Sequence, residues 1–166
     1  MMSNIAHVLQ RFNGGMSCIN IYVNQHDFFI SKQRMAEAEK IGTAPLWAHI
    51  TDPNSVPPRS EPSLDALYAD IRRTVELEAQ IIAAVFPTPL LVMQLFLRRV
   101  FGQSVQAYIE AIMHRALEKD AAAAGMTRQD TTIDAAGLAF LRMLHVTRSS
   151  TLLLVSELTP LVLRRA

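Results

Sequence analysis

Between Ser63 and Leu158, in three segments separated by breaks, the apolar residues recur at helical spacing, and no feature of the chain restricts its fold more than this. Leu64, Tyr68, Ile71, Val75, Glu78, Ile82 and Val85 fall on one stripe of an α-helix. Ser60 or Ser63 is the expected cap, and Asp65 suits the positive end of the helix dipole. Phe86-Pro87-Thr88-Pro89 ends the helix, because proline has no N–H and pushes the preceding residue out of helical conformation. A second helix opens with Pro89 in its first turn and carries Met93, Phe96, Leu97, Val100, Phe101, Ser104, Tyr108, Ile112 and Ala116 on one side, with Gly125 as the expected C-cap. A third starts at Thr131, Thr132 or Asp134. It turns Ile133, Gly137, Phe140, Leu141, Leu144, Thr151, Leu154, Val155 and Leu158 to one side before Pro160 disturbs it. Three such stripes are buried most simply against one another, which predicts an all-α, antiparallel helical bundle.

Upstream, Pro45, Pro53, Pro57, Pro58 and Pro62 crowd one region, so Gly42 to Pro62 reads as a proline-rich linker that is flexible or ordered by a partner. Ahead of it, Asn13-Gly14-Gly15 is a turn separating a short opening helix, Asn4 to Arg11, from the segment Ser17 to Ile30. Ile19, Ile21, Tyr22 and Val23 have strand propensity, yet Ile19, Val23 and Phe29 or Ile30 also fit one helical face, and helix is the reading adopted. The expected organisation is therefore N-terminal helices over residues 1–41, the linker over 42–62, and a bundle of three long helices over 63–166.

Half of the 166 residues are apolar and only 19% are charged, a balance that suggests apolar surface meant for a partner. With a formal net charge of +1 the chain lacks the concentrated basic charge of a nucleic-acid binder. Cys18 is the only cysteine, which fits a reducing compartment, the cytoplasm by default. No signal-peptide pattern opens the chain, and no continuous apolar run approaches the ~20 residues of a membrane span. His7, His26, His49, His114 and His145 show no paired metal-ligand spacing, so no metal is expected. His26-Asp27 cannot orient one another from adjacent helical positions, and no nucleophile or phosphate-loop pattern occurs. No catalytic residue and no cofactor are expected; only a cleft joining Glu78, Glu110 and His114 would reopen an enzyme. The arginines Arg72, Arg73, Arg98, Arg99, Arg115, Arg164 and Arg165 are interleaved with acids, and read as solvated helix faces before a lipid-facing patch.

Several stretches resemble a known family. Phe12-Asn13-Gly14-Gly15-Met16-Ser17-Cys18 followed by Tyr22-Val23-Asn24-Gln25-His26-Asp27-Phe28-Phe29 is similar to the opening of the Sec-ten-like domain of exocyst subunits and recyclins. Val85-Phe86-Pro87-Thr88-Pro89, Val92-Met93, Phe96-Leu97-Arg98-Arg99-Val100-Phe101, Gln103-Ser104-Val105-Gln106 and Tyr108-Ile109-Glu110 form its most specific block. Leu138-Ala139-Phe140-Leu141-Arg142 and Leu144-His145, with Thr151, Leu154 and Val155, continue it in order. The resemblance implies an elongated bundle within a rod-like tethering subunit, a scaffold in exocytosis or endosomal recycling. Its partners would be other exocyst subunits, with small GTPases or SNAREs as further candidates, and it would sit peripherally at vesicles or plasma membrane through the complex. Arg98, Arg99, Phe101, Tyr108, Leu141 and Leu144 are the candidate protein-contact residues. Family members are several times longer, and the ending Leu158 to Ala166 reads as leaving the family pattern, as in a fragment. The alternative is a self-contained helical bundle that binds a small apolar ligand or acts as a regulatory adaptor.

Overall fold

The computed structural model describes residues 15–30, 43–126 and 137–163, together with Asn4, Val8 and Ile41. The described residues form helices α1 (Gly15–Asn24), α2 (Asp27–Ile30), α3 (Pro62–Val85), α4 (Pro89–Arg99), α5 (Gln106–Met126) and α6 (Leu138–Leu163). A 3-10 turn at Pro45–Ala48 precedes α3, and a π-helical stretch, Val100–Val105, joins α4 to α5 without a break. No strand occurs among the described residues, so the all-α expectation holds, including the helical reading of Ser17 to Ile30. The expected opening helix lies outside the described residues apart from Asn4 and Val8, as do Asn13-Gly14, the starts proposed at Thr131, Thr132 or Asp134, and Arg164-Arg165.

The chain divides into two compact units, each discontinuous in sequence. The first takes Met1–Lys32, Tyr68–Val105 and Leu154–Ala166; the second takes Gln33–Leu67 and Gln106–Leu153.

In the first unit, α1 lays Ile19 and Val23 against α4, while Ile71, Val75 and Ile82 of α3, Val92, Met93 and Phe96 of α4, and Leu154 and Leu158 of α6 complete the core. The π stretch explains a detail of the second stripe. After Val100 the next buried residue is Val105, not Ser104, a step of five that would swing an ordinary helix well off its face. A π turn spends about one extra residue per turn, so Val100 and Val105 stay in register, and Gly102 and Ser104 are the weaker helix formers within the stretch.

In the second unit, Trp47 and Ile50 are 2% and 1% exposed and pack with Leu64, Leu67, Tyr108, Ile112, Ala116, Ala139, Met143 and Val146 as its core. Three buried polar side chains tie the backbone together. Glu61, rather than Ser60 or Ser63, caps α3. Its carbonyl accepts the Asp65 N–H at 3.0 Å, its carboxylate accepts the Leu64 N–H at 2.8 Å, and the Ser63 hydroxyl donates to that same carboxylate. Trp47 Nε1 adds a donor at 3.4 Å. Asp120 of α5 accepts the Ala139 and Phe140 N–H groups at 2.9 and 3.0 Å, placing negative charge on the positive end of α6. Arg142 donates through Nη1 to Ile50 O at 2.9 Å, Asp52 O at 3.0 Å and Ser55 Oγ at 2.8 Å, and through Nη2 to Ser55 O at 2.9 Å. The guanidinium fork suits this convergence of acceptors on three sides, which an ammonium would not match.

The structure corrects several expectations for the long helices. The last helix starts at Leu138, after Gly137 with φ +92°, and buries Ala139, Arg142, Met143, Val146 and Thr147; Leu141, Leu144 and Val155, assigned to the buried stripe, point out at 62%, 45% and 44% exposure. The segment is apolar on nearly every side, so hydropathy alone does not choose a face. The Asp120 cap and the Arg142 clamp do. Gly125 lies within α5, which runs on to Met126, and is not among the glycines with positive φ. Pro160 stands inside α6, which continues to Leu163 although the ring offers no N–H to the carbonyl of Ser156. By length and composition α6 also passes for a membrane span, although polar residues interrupt its apolar run. Its buried face carries Arg142, hydrogen-bonded within the second unit, while its leucines face outward.

Candidate interaction surface

The most specific motif of the N-terminal part, Tyr22 to Phe29, is used for packing within the first unit. His26 stands ahead of the short α2, and its Nδ1 accepts the Phe28 N–H at 3.1 Å. That leaves Nε2, 3.0 Å from Glu78 Oε1, as the ring's donor. Tyr22 donates its hydroxyl proton to the other oxygen of the same carboxylate. Burial first, then this hydrogen bond and the Glu78 charge, push the Tyr22 hydroxyl well above its usual range. Around this polar centre the rings of Tyr22 and Phe86, His26 and Phe96, and Phe29 and Phe96 meet edge to face at 5.0, 5.0 and 5.7 Å. A buried Glu joined to His and Tyr is chemically suggestive, but both carboxylate oxygens are engaged and the group joins α1 and α2 to α3 and α4. Glu110 accepts instead from Gln106 at 2.8 Å, and His114 lies 3.5 Å from Glu118 on an exposed surface, so each of the three candidates has its own partner.

The six contact candidates fall in two groups. In the first unit Arg98 is exposed on the last turn of α4. Arg99 is half-buried: it donates to Val23 O at 3.1 Å, to Asn24 Oδ1, and to Gln103 Oε1 at 2.9 Å, and its guanidinium lies 4.4 Å over the Phe29 ring. Phe101, half-buried in the π stretch, lines a shallow apolar groove of about 220 Å³ with Leu97, Val155, Leu158, Thr159 and Val162. In the second unit Tyr108 is buried at 7% exposure, whereas Leu141 and Leu144 stand on the outer face of α6. Leu152 continues that face two turns on, with the exposed Arg148 between. Glu61, Asp120 and Arg142 were missed as organising residues. The available signal was a charge at a core position, since Arg142 and Asp120 sit one helical step from Ala139 and Ala116.

Buried polar side chains that serve as caps and clamps, beneath helices whose outer faces carry leucines, define a helical packing module. The chain belongs to the Sec10-like family of exocyst components: the family model described as "Exocyst complex component Sec10-like, alpha-helical bundle" matches residues 1–166. The match includes Leu158 to Ala166, so the ending does not leave the family pattern as expected. Relatives include Exocyst complex component SEC10 of Saccharomyces cerevisiae, 31% identical over 122 residues, covering 70% of this chain and 14% of that protein. Exocyst complex component SEC10a of Arabidopsis thaliana is 35% identical over 112 residues, 68% of this chain and 13% of that protein. Exocyst complex component 5 of rice is 32% identical over 115 residues, again 68% and 13%. The chain thus spans about one seventh of the length of the relatives it matches. No solved structure matches it.

Proposed function

We propose that the chain is a non-enzymatic scaffold segment of a vesicle-tethering exocyst subunit, acting in exocytosis or endosomal recycling by docking helices of neighbouring subunits. Membership of the family across the whole chain carries this reading. The outward leucines of α6 support it, because Leu141, Leu144 and Leu152 form a helical ridge of the kind that packs into another helix's groove. Arg98 is a second, polar contact point, and Arg99 and Phe101 support it from below. Tyr108 belongs to the core beneath α5, and its part in a contact would be indirect. Other exocyst subunits are the leading partners; small GTPases and SNAREs are further ones. The location that follows is cytoplasmic, peripheral at vesicles or plasma membrane through the complex.

The test is co-purification from cells. Leu141→Glu with Leu144→Glu places two charges on the ridge without touching the buried face, and is expected to reduce recovery of exocyst subunits roughly tenfold while leaving the melting temperature unchanged. Undiminished recovery would remove the ridge from the interface. The apolar groove beside Phe101 favours a second reading, a small apolar ligand. A screen of such compounds that raises the melting temperature, with the rise lost in Phe101→Ala, would support it.

A further inference from the structure

Among the described residues, the segment Val56-Pro57-Pro58-Arg59-Ser60 is the surface feature that packing accounts for least. It carries no helix or turn bonding, and Val56 is 85% exposed, the most open of the large apolar side chains among the described residues. Pro57 and Arg59 are exposed, with Pro58 half-buried. Both ends of the segment are fixed. Upstream, Ser55 is held by Arg142 through its hydroxyl and its carbonyl, and its hydroxyl lies 2.7 Å from His49 O and 2.9 Å from Asp52 O. Downstream, Glu61 is fully buried as the cap of α3. Two successive prolines set their own φ, and each restricts the residue before it to extended or polyproline-II backbone, so Val56 and Pro57 are extended by covalent geometry alone.

We propose that Val56–Ser60 is a docking strip for a protein domain with an aromatic-lined groove of the kind that grips polyproline-II segments, with a carboxylate beside the groove to meet Arg59. Three observations carry this. The strip shows the groove an apolar side chain and an exposed proline ring, the surfaces that aromatic slots accept. Arg59 is exposed and has no carboxylate partner among the described residues, so it supplies direction and charge. The two anchors mean that the conformational entropy of ordering the strip is spent on folding rather than on binding, which a free proline-rich tail does not enjoy. The reading is independent of the α6 ridge, since it concerns a different surface and a different class of partner.

The test is a titration of the isotope-labelled 166-residue chain with a panel of purified SH3 and WW domains, read at the backbone amides. The expected result is a saturable shift at Val56, Arg59 and Ser60 with at least one domain. Binding should weaken roughly tenfold in Arg59→Glu, and disappear in Pro57→Ala with Pro58→Ala, whose melting temperature matches that of the unaltered chain. A panel in which no domain shifts these amides at concentrations of about 1 mM overturns the proposal, as does binding that survives the double proline substitution.

Discussion

Tyr22 and Glu78 show how one hydrogen bond ties folding to pH. In the folded chain burial and the Glu78 carboxylate favour the protonated phenol, so the folded-state pKa of Tyr22 lies above its unfolded value near 10. Below about pH 10 both states hold the proton and the contribution is fully present; as pH rises further the unfolded chain ionises first and the contribution is lost. Tyr22→Phe is therefore expected to cost about 1–2 kcal/mol at pH 7, since it also strands one oxygen of a buried carboxylate. It should also flatten the decline in stability between pH 10 and 11 relative to the parent, with denaturant unfolding across that range as the measurement. Little of this was legible in sequence. Glu78 announced itself as a charge at a core position of its stripe, but its partners lie 56 and 52 residues away, taking 78 minus 22 and 78 minus 26. Periodicity within one helix carries no such information. The same holds for Arg142, whose acceptors, apart from the Ser55 hydroxyl, are backbone carbonyls of a proline-rich segment that any sequence would possess.

At the scale of single elements, the helices that carry a one-sided pattern were readable and the one apolar on several sides was not. The Leu64 to Ile82 stripe of α3 is buried nearly residue for residue, because Asp65, Arg73, Glu76 and Gln80 mark the opposite face. In α6 Leu141, Leu144, Leu152, Leu153 and Val155 remain outside while Arg142 goes in, an inversion that only the cap and clamp decide. The start of α6 provides a test of this. Gly137 has φ +92° with open space around its missing Cβ, so Gly137→Ala meets no clash yet must hold a left-handed backbone. It is expected to lower stability by about 1 kcal/mol. Gly125→Ala, inside α5 and equally uncrowded, should raise it by roughly 0.5–1 kcal/mol. Thermal or urea unfolding of the pair separates backbone strain from side-chain volume, and equal shifts in both variants would contradict the explanation.

For the molecule as a whole, both units are assembled from segments distant in sequence, and the run α4–π–α5, α3 and α6 each supply residues to both. The proline-rich stretch that reads as a spacer puts Trp47 and Ile50 among the most buried residues of the second unit. Proline content reports the absence of helix, but not whether a segment packs. A chain ended after Leu153 loses Leu154 and Leu158 from the core of the first unit, and with them Glu157, whose carboxylate lies 2.5 Å from Arg72. The expected outcome is loss of amide protection in α1 and α4, seen by hydrogen exchange, rather than removal of a dispensable end. Unchanged protection there would show that the first unit stands without the last turns of α6.

The discontinuity of the first unit also sets an order of events during synthesis. When α1 leaves the ribosome, the aromatic faces of Phe86 and Phe96 that receive it are still untranslated, and when α4 has followed, Leu154 and Leu158 have yet to be made. The nascent polypeptide therefore carries Ile19, Val23 and Phe28 unprotected until α4 has been made, and the core that α4 brings stays open until Leu154 and Leu158 follow. This is a window in which a chaperone has apolar surface to hold, and in which a stall would leave a sticky half-product.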